Sequence, residues 1–274
     1  MSVTITAADI NKLRQTTGAG MMDCRKALTE SNGDFEAAID WLRKQGQKVA
    51  AKRSDREAKE GVVIAQTTTD HKSGIVLCIS CETDFVSKNA EFVAFAQSIA
   101  DAAIANNVKT AEELNGVSVN GSTVAELIND KLAAIGEKIA LTKFERIDAP
   151  YVASYIHGAN RMGVLVAMTK EAAEAGKDVA MQIAAMNPLA VDESSISAET
   201  VAREKEIAIE QIKAEGKPAE MAEKIAMGKV NKFFKENTLL AQAFVKDNSK
   251  SVADYLKSVD ADLKVTDFKR VALG

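Results

Sequence analysis

Residues 61–81 read GVVIAQTTTDHKSGIVLCISC, and this stretch decides the fold class. Gly61-Val62-Val63-Ile64-Ala65 is rich in β-branched aliphatics and reads as a strand. Asp70-His71-Lys72-Ser73-Gly74 is a turn, and Ile75-Val76-Leu77-Cys78-Ile79-Ser80-Cys81 is a second β run, so the two form a hairpin. Downstream, Phe92, Phe95, Ile99 and Ile104 recur at helical spacing and predict a helix from about Asn89 to Asn106. Residues 107–120 read as a variable excursion and 121–138 as another helix. The pattern then recurs. Tyr151 to His157 is a strand, 158–162 a turn, Met162 to Met168 a strand, and 177–186 a helix. A hairpin followed by a helix, found twice about 90 residues apart, predicts two related α+β subdomains, each a small antiparallel sheet covered by helices.

The flanks add two helical parts. Residues 1–46 predict three short helices, the first capped by Thr6 with Asp9 in a capping-box position. Thr16-Thr17-Gly18-Ala19-Gly20 breaks that helix, and the second, from about Met21 to Glu30, has Met22, Ala27 and Leu28 as its core side. Asp34 caps the third, which carries Phe35, Ala38, Ile39 and Leu42 and closes at Gly46. Residues 47–60 read as a charged, solvated linker. Subdomain 1 is then expected over 61–140 and subdomain 2 over 141–274. The second contains a helical hairpin at about 197–236, read as an antiparallel coiled coil broken at Gly216-Lys217-Pro218. Its seam is expected from Ile207, Ile209 and Ile212 against Met221, Ile225 and Met227. A helix over 250–258 and a strand from Leu263 to Val271 end the pattern.

Composition narrows the function. The chain has 274 residues and a formal net charge of −4, against the Lys and Arg surplus that non-specific nucleic-acid binding needs. Three cysteines suit a reducing cytosol better than a disulfide scaffold. No apolar run is long enough for a bilayer, and the first ten residues lack a secretory pattern, so a cytoplasmic location is expected. There are only two histidines, His71 and His157, which disfavours most acid–base and zinc chemistry.

Cys78-x2-Cys81 lies in a strand with no second pair, so buried inert thiols are expected rather than a metal site. Gly18-Ala19-Gly20 has neither the preceding strand nor the Gly-Lys-Ser/Thr ending of a phosphate loop. In Cys81-Glu82-Thr83-Asp84-Phe85-Val86-Ser87-Lys88-Asn89, Thr83 or Asp84 starts a helix and leaves Phe85 in its first turn. That Phe is either core or an anchor for a partner's pocket. Met21 and Met22 pose the same choice. His157 meets the turn Gly158-Ala159-Asn160-Arg161, whose arginine is placed to pair with a carboxylate on a neighbouring element.

Together these segments resemble the bacterial elongation factor Ts family. Leu13-Arg14 and Thr17 through Leu28 look like its opening signature, and Thr83-Asp84-Phe85-Val86-Ser87-Lys88-Asn89 looks like its second. His157-Gly158, Arg161 to Leu165 and the Gly216-Lys217-Pro218 hairpin are similar to later blocks. The resemblance implies a ubiquitin-associated-like N-terminal module and a guanine nucleotide exchange factor. Such a factor has no bond chemistry or cofactor of its own and does not bind the nucleotide itself. The implied partner is elongation factor Tu, acted on at its GDP and Mg2+ site so that GTP can load. Arg14, Met21, Met22, Thr83, Asp84, Phe85, Val86 and His157 match the family's partner-binding positions. Asn160 departs from a turn often richer in glycine, Asn11 stands where some relatives carry a basic residue, and the C-terminal helix of some relatives is not matched. The competing reading is a non-catalytic adaptor or RNA-associated scaffold, using the basic stretch from Lys48 to Arg56 and the helical hairpin.

Overall fold

The computed structural model describes residues 4–53, 55–214 and 219–274. The chain opens with helices α1 (Ala7–Thr17), α2 (Met21–Glu30) and α3 (Phe35–Arg53). Thr6 and Asp9 form the capping box at the start of α1, and Gly18 ends it in the left-handed region at φ 69°. Leu13, Cys24, Ala27, Leu28, Ala38 and Leu42 make a small separate core. Met22, expected within it, is 74% exposed. At about 100° per residue it lies some 200° round the helix from Cys24, so the side that buries Cys24 turns Met22 outward.

Gly46 does not close α3, which runs on to Arg53 and takes in the first half of the expected linker. A Cβ at Gly46 would lie 2.8 Å from the Cβ of Ala133, on a helix of the first subdomain. The glycine is there for close helix approach, not for a C-cap. The end of the linker is also tied down. Arg53 and Arg56 both donate to Glu82, and the Lys138 Nζ donates to the Arg56 carbonyl.

The first sheet contains β1 (Glu60–Thr67), β2 (Ser73–Cys81) and β5 (Ala140–Asp148), with β2 central. Between β2 and β5 come α4 (Asp84–Ser87), α5 (Ala90–Ala105), α6 (Ala111–Gly116), the short pair β3 (Ser118–Val119) and β4 (Ser122–Thr123), and α7 (Val124–Ile135). Strand β5 was not legible in the sequence, and a boundary at residue 140 would assign it to the wrong unit. It pairs antiparallel with β2, Ser73 opposite Asp148 and Ser80 opposite Ala140. A register shift at Cys78/Ile79 leaves Thr142 as an extra residue, so Leu141 and Phe144, three apart, both pack on the same helical core. That bulge breaks the period-two pattern by which strands are read.

The second sheet repeats the plan with β6 (Tyr151–His157), β7 (Met162–Met168) and, from the end of the chain, β10 (Val265–Ala272), β7 being central. Helix α8 (Ala173–Met186), the short β8 (Ala243–Phe244) and β9 (Asp247–Ser251), and α11 (Val252–Val259) accompany it. The two sheets lie back to back. Val63, Val76 and Cys78 meet Val152, Leu165 and Ala167 between them. The other face of each sheet is covered by helices, Phe92 and Ile99 on the first and Val179 and Ile183 on the second. A Cβ at Gly163 would come 2.8 Å from Val76, so this glycine sets how close the sheets approach. Strand β2 is consequently buried on both faces, which explains its unbroken apolar run.

Helices α9 (Ala198–Ala214) and α10 (Ala219–Asn237) pack on each other through Ala208, Ile212 and Ala226, with Ile209 and Ile225 beside them. Ile207 and Met227, expected in the seam, are exposed. The side chain of Met221 and the break at Gly216-Lys217-Pro218 lie outside the described residues.

Candidate functional site

Phe85 is 84% exposed on α4, a four-residue helix between the end of β2 and the Asn89 cap of α5. It is therefore not core. Val86, next to it, packs into the first helical core and ties α4 down. Asp84 accepts from Lys88 at 2.7 Å, and this ammonium holds the carboxyl below its ordinary range. Thr83 faces inward: its N–H and hydroxyl donate to the Glu137 carboxylate at 3.0 and 2.7 Å. Glu82 accepts from the Lys138 N–H at 2.6 Å, Arg53 at 2.8 Å and Arg56 at 3.0 Å. These donors, the Lys138 N–H foremost, lower its pKa to about 2.

His157 is exposed at the end of β6, and its Nδ1 lies 2.9 Å from the Tyr155 hydroxyl. The turn after it holds Gly158, Ala159 and Asn160 at φ 63°, 52° and 66°, three left-handed residues in a row. Asn160 suits that region, and it also docks the turn on β1. Its side-chain amide donates to the Val63 carbonyl at 3.1 Å and its own carbonyl accepts from the Val63 N–H at 2.7 Å. Arg161 pairs with Glu60 at 2.8 Å, the neighbouring-element carboxylate that its position called for. Glu60 raises the Arg161 pKa, and Asp84 adds to the same field. Helix α4 lies against β1, so the Phe85 post and the His157 turn flank one strand.

Arg14 is exposed in the last turn of α1, and Met21 and Met22 are 56% and 74% exposed at the start of α2. A cleft of about 880 Å³ runs between this module and α5 and α7, alongside the packing of α3 on α7. Thr17, Ala19 and Trp41 line one wall, Phe92, Phe95 and Ile135 the other, and Phe85 stands at its edge. Trp41, Glu82 and Glu137 did not stand out in the sequence. Glu137 follows the Gly136 that ends α7, and nothing local signals a partner 54 residues away.

The two close cysteines do not converge. Cys78 lies between the sheets and Cys81 under the helices, on opposite faces of β2, and burial raises both thiols, Cys81 to about 12. Among the described residues no group of three His, Cys, Asp or Glu could hold a metal ion, and no helix is long and apolar enough to cross a membrane.

The family model described as Elongation factor TS matches residues 82–274. A Flavobacterium psychrophilum protein named Elongation factor Ts is 52% identical over 274 residues, 99% of each chain. Proteins of the same name from Christiangramia forsetii and Clostridium perfringens are 50% and 45% identical, covering 98% of this chain and 99% and 93% of their own. At 98–99% of this chain, the matches to these relatives take in most of the residues before 82, where the family-model match begins.

Proposed function

The chain belongs to the elongation factor Ts family, and from that premise we propose how it performs the family's task, nucleotide exchange on elongation factor Tu in translation. An exchange factor must bind the empty GTPase more tightly than the GDP-bound one. Factor and nucleotide then weaken each other's binding by the same ratio. No bond is made or broken.

The observation that carries this reading is Phe85, a large apolar side chain held out into solvent on an anchored helix. Burying one aromatic contributes about 1.5–3 kcal/mol. If Phe85 finds its pocket only when elements around the partner's Mg2+ and phosphate site have moved, that energy favours the empty form. It amounts to about 10–100-fold in coupling at about 1.4 kcal/mol per tenfold. Arg14, Met21 and Met22 would bind the nucleotide-binding domain, and Asp84, Val86 and His157 would border the wedge. Thr83 supports the wedge from behind. Two arginines of the basic stretch, Arg53 and Arg56, are already engaged by Glu82, which weighs against an RNA-binding role for it.

The test is release of labelled GDP from the cognate elongation factor Tu. The intact chain should accelerate it, and Phe85→Ala should slow the accelerated rate by about tenfold. No acceleration by the intact chain would refute the reading.

A further inference from the structure

We propose that Glu82 and Glu137 form a clamp that positions Phe85, with Glu82 also joining the wedge to the N-terminal module. Both carboxylates are already engaged by donors of this chain. Glu82 gathers three donors from two places, Arg53 and Arg56 at and just past the end of α3 and the Lys138 N–H after α7. Glu137, from the same turn after α7, takes both donors of Thr83. The two residues directly before α4 are thus fixed to the segment that ends α7. Helix α7 in turn carries α3, through the Gly46–Ala133 approach and the ion pair of Arg43 with Asp130 at 3.9 Å. The connections close a ring running α3, α7, residues 137–138, residues 82–83 and back to Arg53. Phe85 stands just outside it.

The physical consequence is preorganisation. An exposed aromatic on a loose loop would lose conformational freedom on entering a partner's pocket, and that cost would be taken from the energy available for displacing nucleotide. Fixing residues 82 and 83 removes part of it beforehand. It also holds Met21 and Met22 at a set distance from Phe85, so that both reach the partner together. Charge-assisted bonds suit this use, being short and directional. Glu82 is only 15% exposed at its side chain, so its pairs are less screened than the surface pair of Asp84 and Lys88.

This inference rests on the exchange reading through Phe85, and its test has one arm that needs no partner. In a chain carrying Trp41→Phe and Phe85→Trp, time-resolved anisotropy reads the motion of residue 85 alone. Glu82→Gln and Glu137→Gln should each increase the amplitude of its fast local motion. In exchange assays on the otherwise unchanged chain, each variant should lower the maximal GDP-release rate by about three- to tenfold while shifting the half-saturating concentration less. Combined with Phe85→Ala, neither should lower the rate further, because the clamp acts through that ring. Unchanged anisotropy, an unchanged maximal rate, or a full additional loss in the double variants would each overturn the clamp. A variant with a grossly altered circular-dichroism spectrum would overturn it too, since the carboxylate would then be holding the fold. An intact chain that fails to accelerate release would refute the exchange reading instead, while the anisotropy arm still decides the clamp.

Discussion

Phe85 spends no stability in this fold and gains none from it. With 84% of its surface in solvent, Phe85→Ala should change the melting temperature by no more than about 1–2 °C while exchange falls, and differential scanning calorimetry checks the first half. Ala159 is the opposite case. It sits at φ 52° between two other left-handed residues, where a Cβ costs roughly 1–2 kcal/mol. Ala159→Gly relieves this at some cost in chain entropy, for a net gain of about 0.5–1 kcal/mol and a rise of about 1–4 °C. An unchanged or lower melting temperature would show the turn to be unstrained. Asn160→Gly should not give that gain, because it removes the amide bond to Val63.

The helices and strands show which signals were local enough to read. Both hairpins were legible because Val62–Ile64 and Val164–Val166 are continuous apolar runs beside obvious turns, and the Thr6–Asp9 box was legible because its partners are three residues apart. Strand β5 was not, since its bulge at Thr142 is imposed by β2. Gly46 reads as a stop in sequence and is a contact in space; only the position of Ala133 distinguishes the two. The exposure of Phe85 was left open for a related reason: its neighbours do not say whether α4 turns it in or out. Gly46→Leu should force α3 from α7, costing about 1–3 kcal/mol, and raise hydrogen exchange in both helices. Unchanged protection there would mean that the helices do not depend on this approach. Glu82, with a pKa near 2 in place of 4.5, contributes stability that is fully present above about pH 4.5 and is lost as pH falls through about 2. The stability gap between the wild-type chain and Glu82→Gln, from urea unfolding, should therefore shrink across that window. A gap independent of pH would contradict the assignment.

At the scale of the whole molecule, the two back-to-back sheets form a slab packed on both faces, and the candidate contact groups sit around it. The His157 turn is docked on β1 by Asn160, α4 lies against the same strand, and the N-terminal module is packed on α7. A stiff body with several fixed contact points suits a factor that must favour one state of its partner over another, since flexible contacts would adapt to both. Exchange rests on that preference. Isothermal titration calorimetry of the chain against nucleotide-free and against GDP-loaded elongation factor Tu measures it directly. Binding to the empty form should be at least about a hundredfold tighter, with GDP affinity reduced by the same ratio in the complex. Equal affinity for the two forms would contradict it.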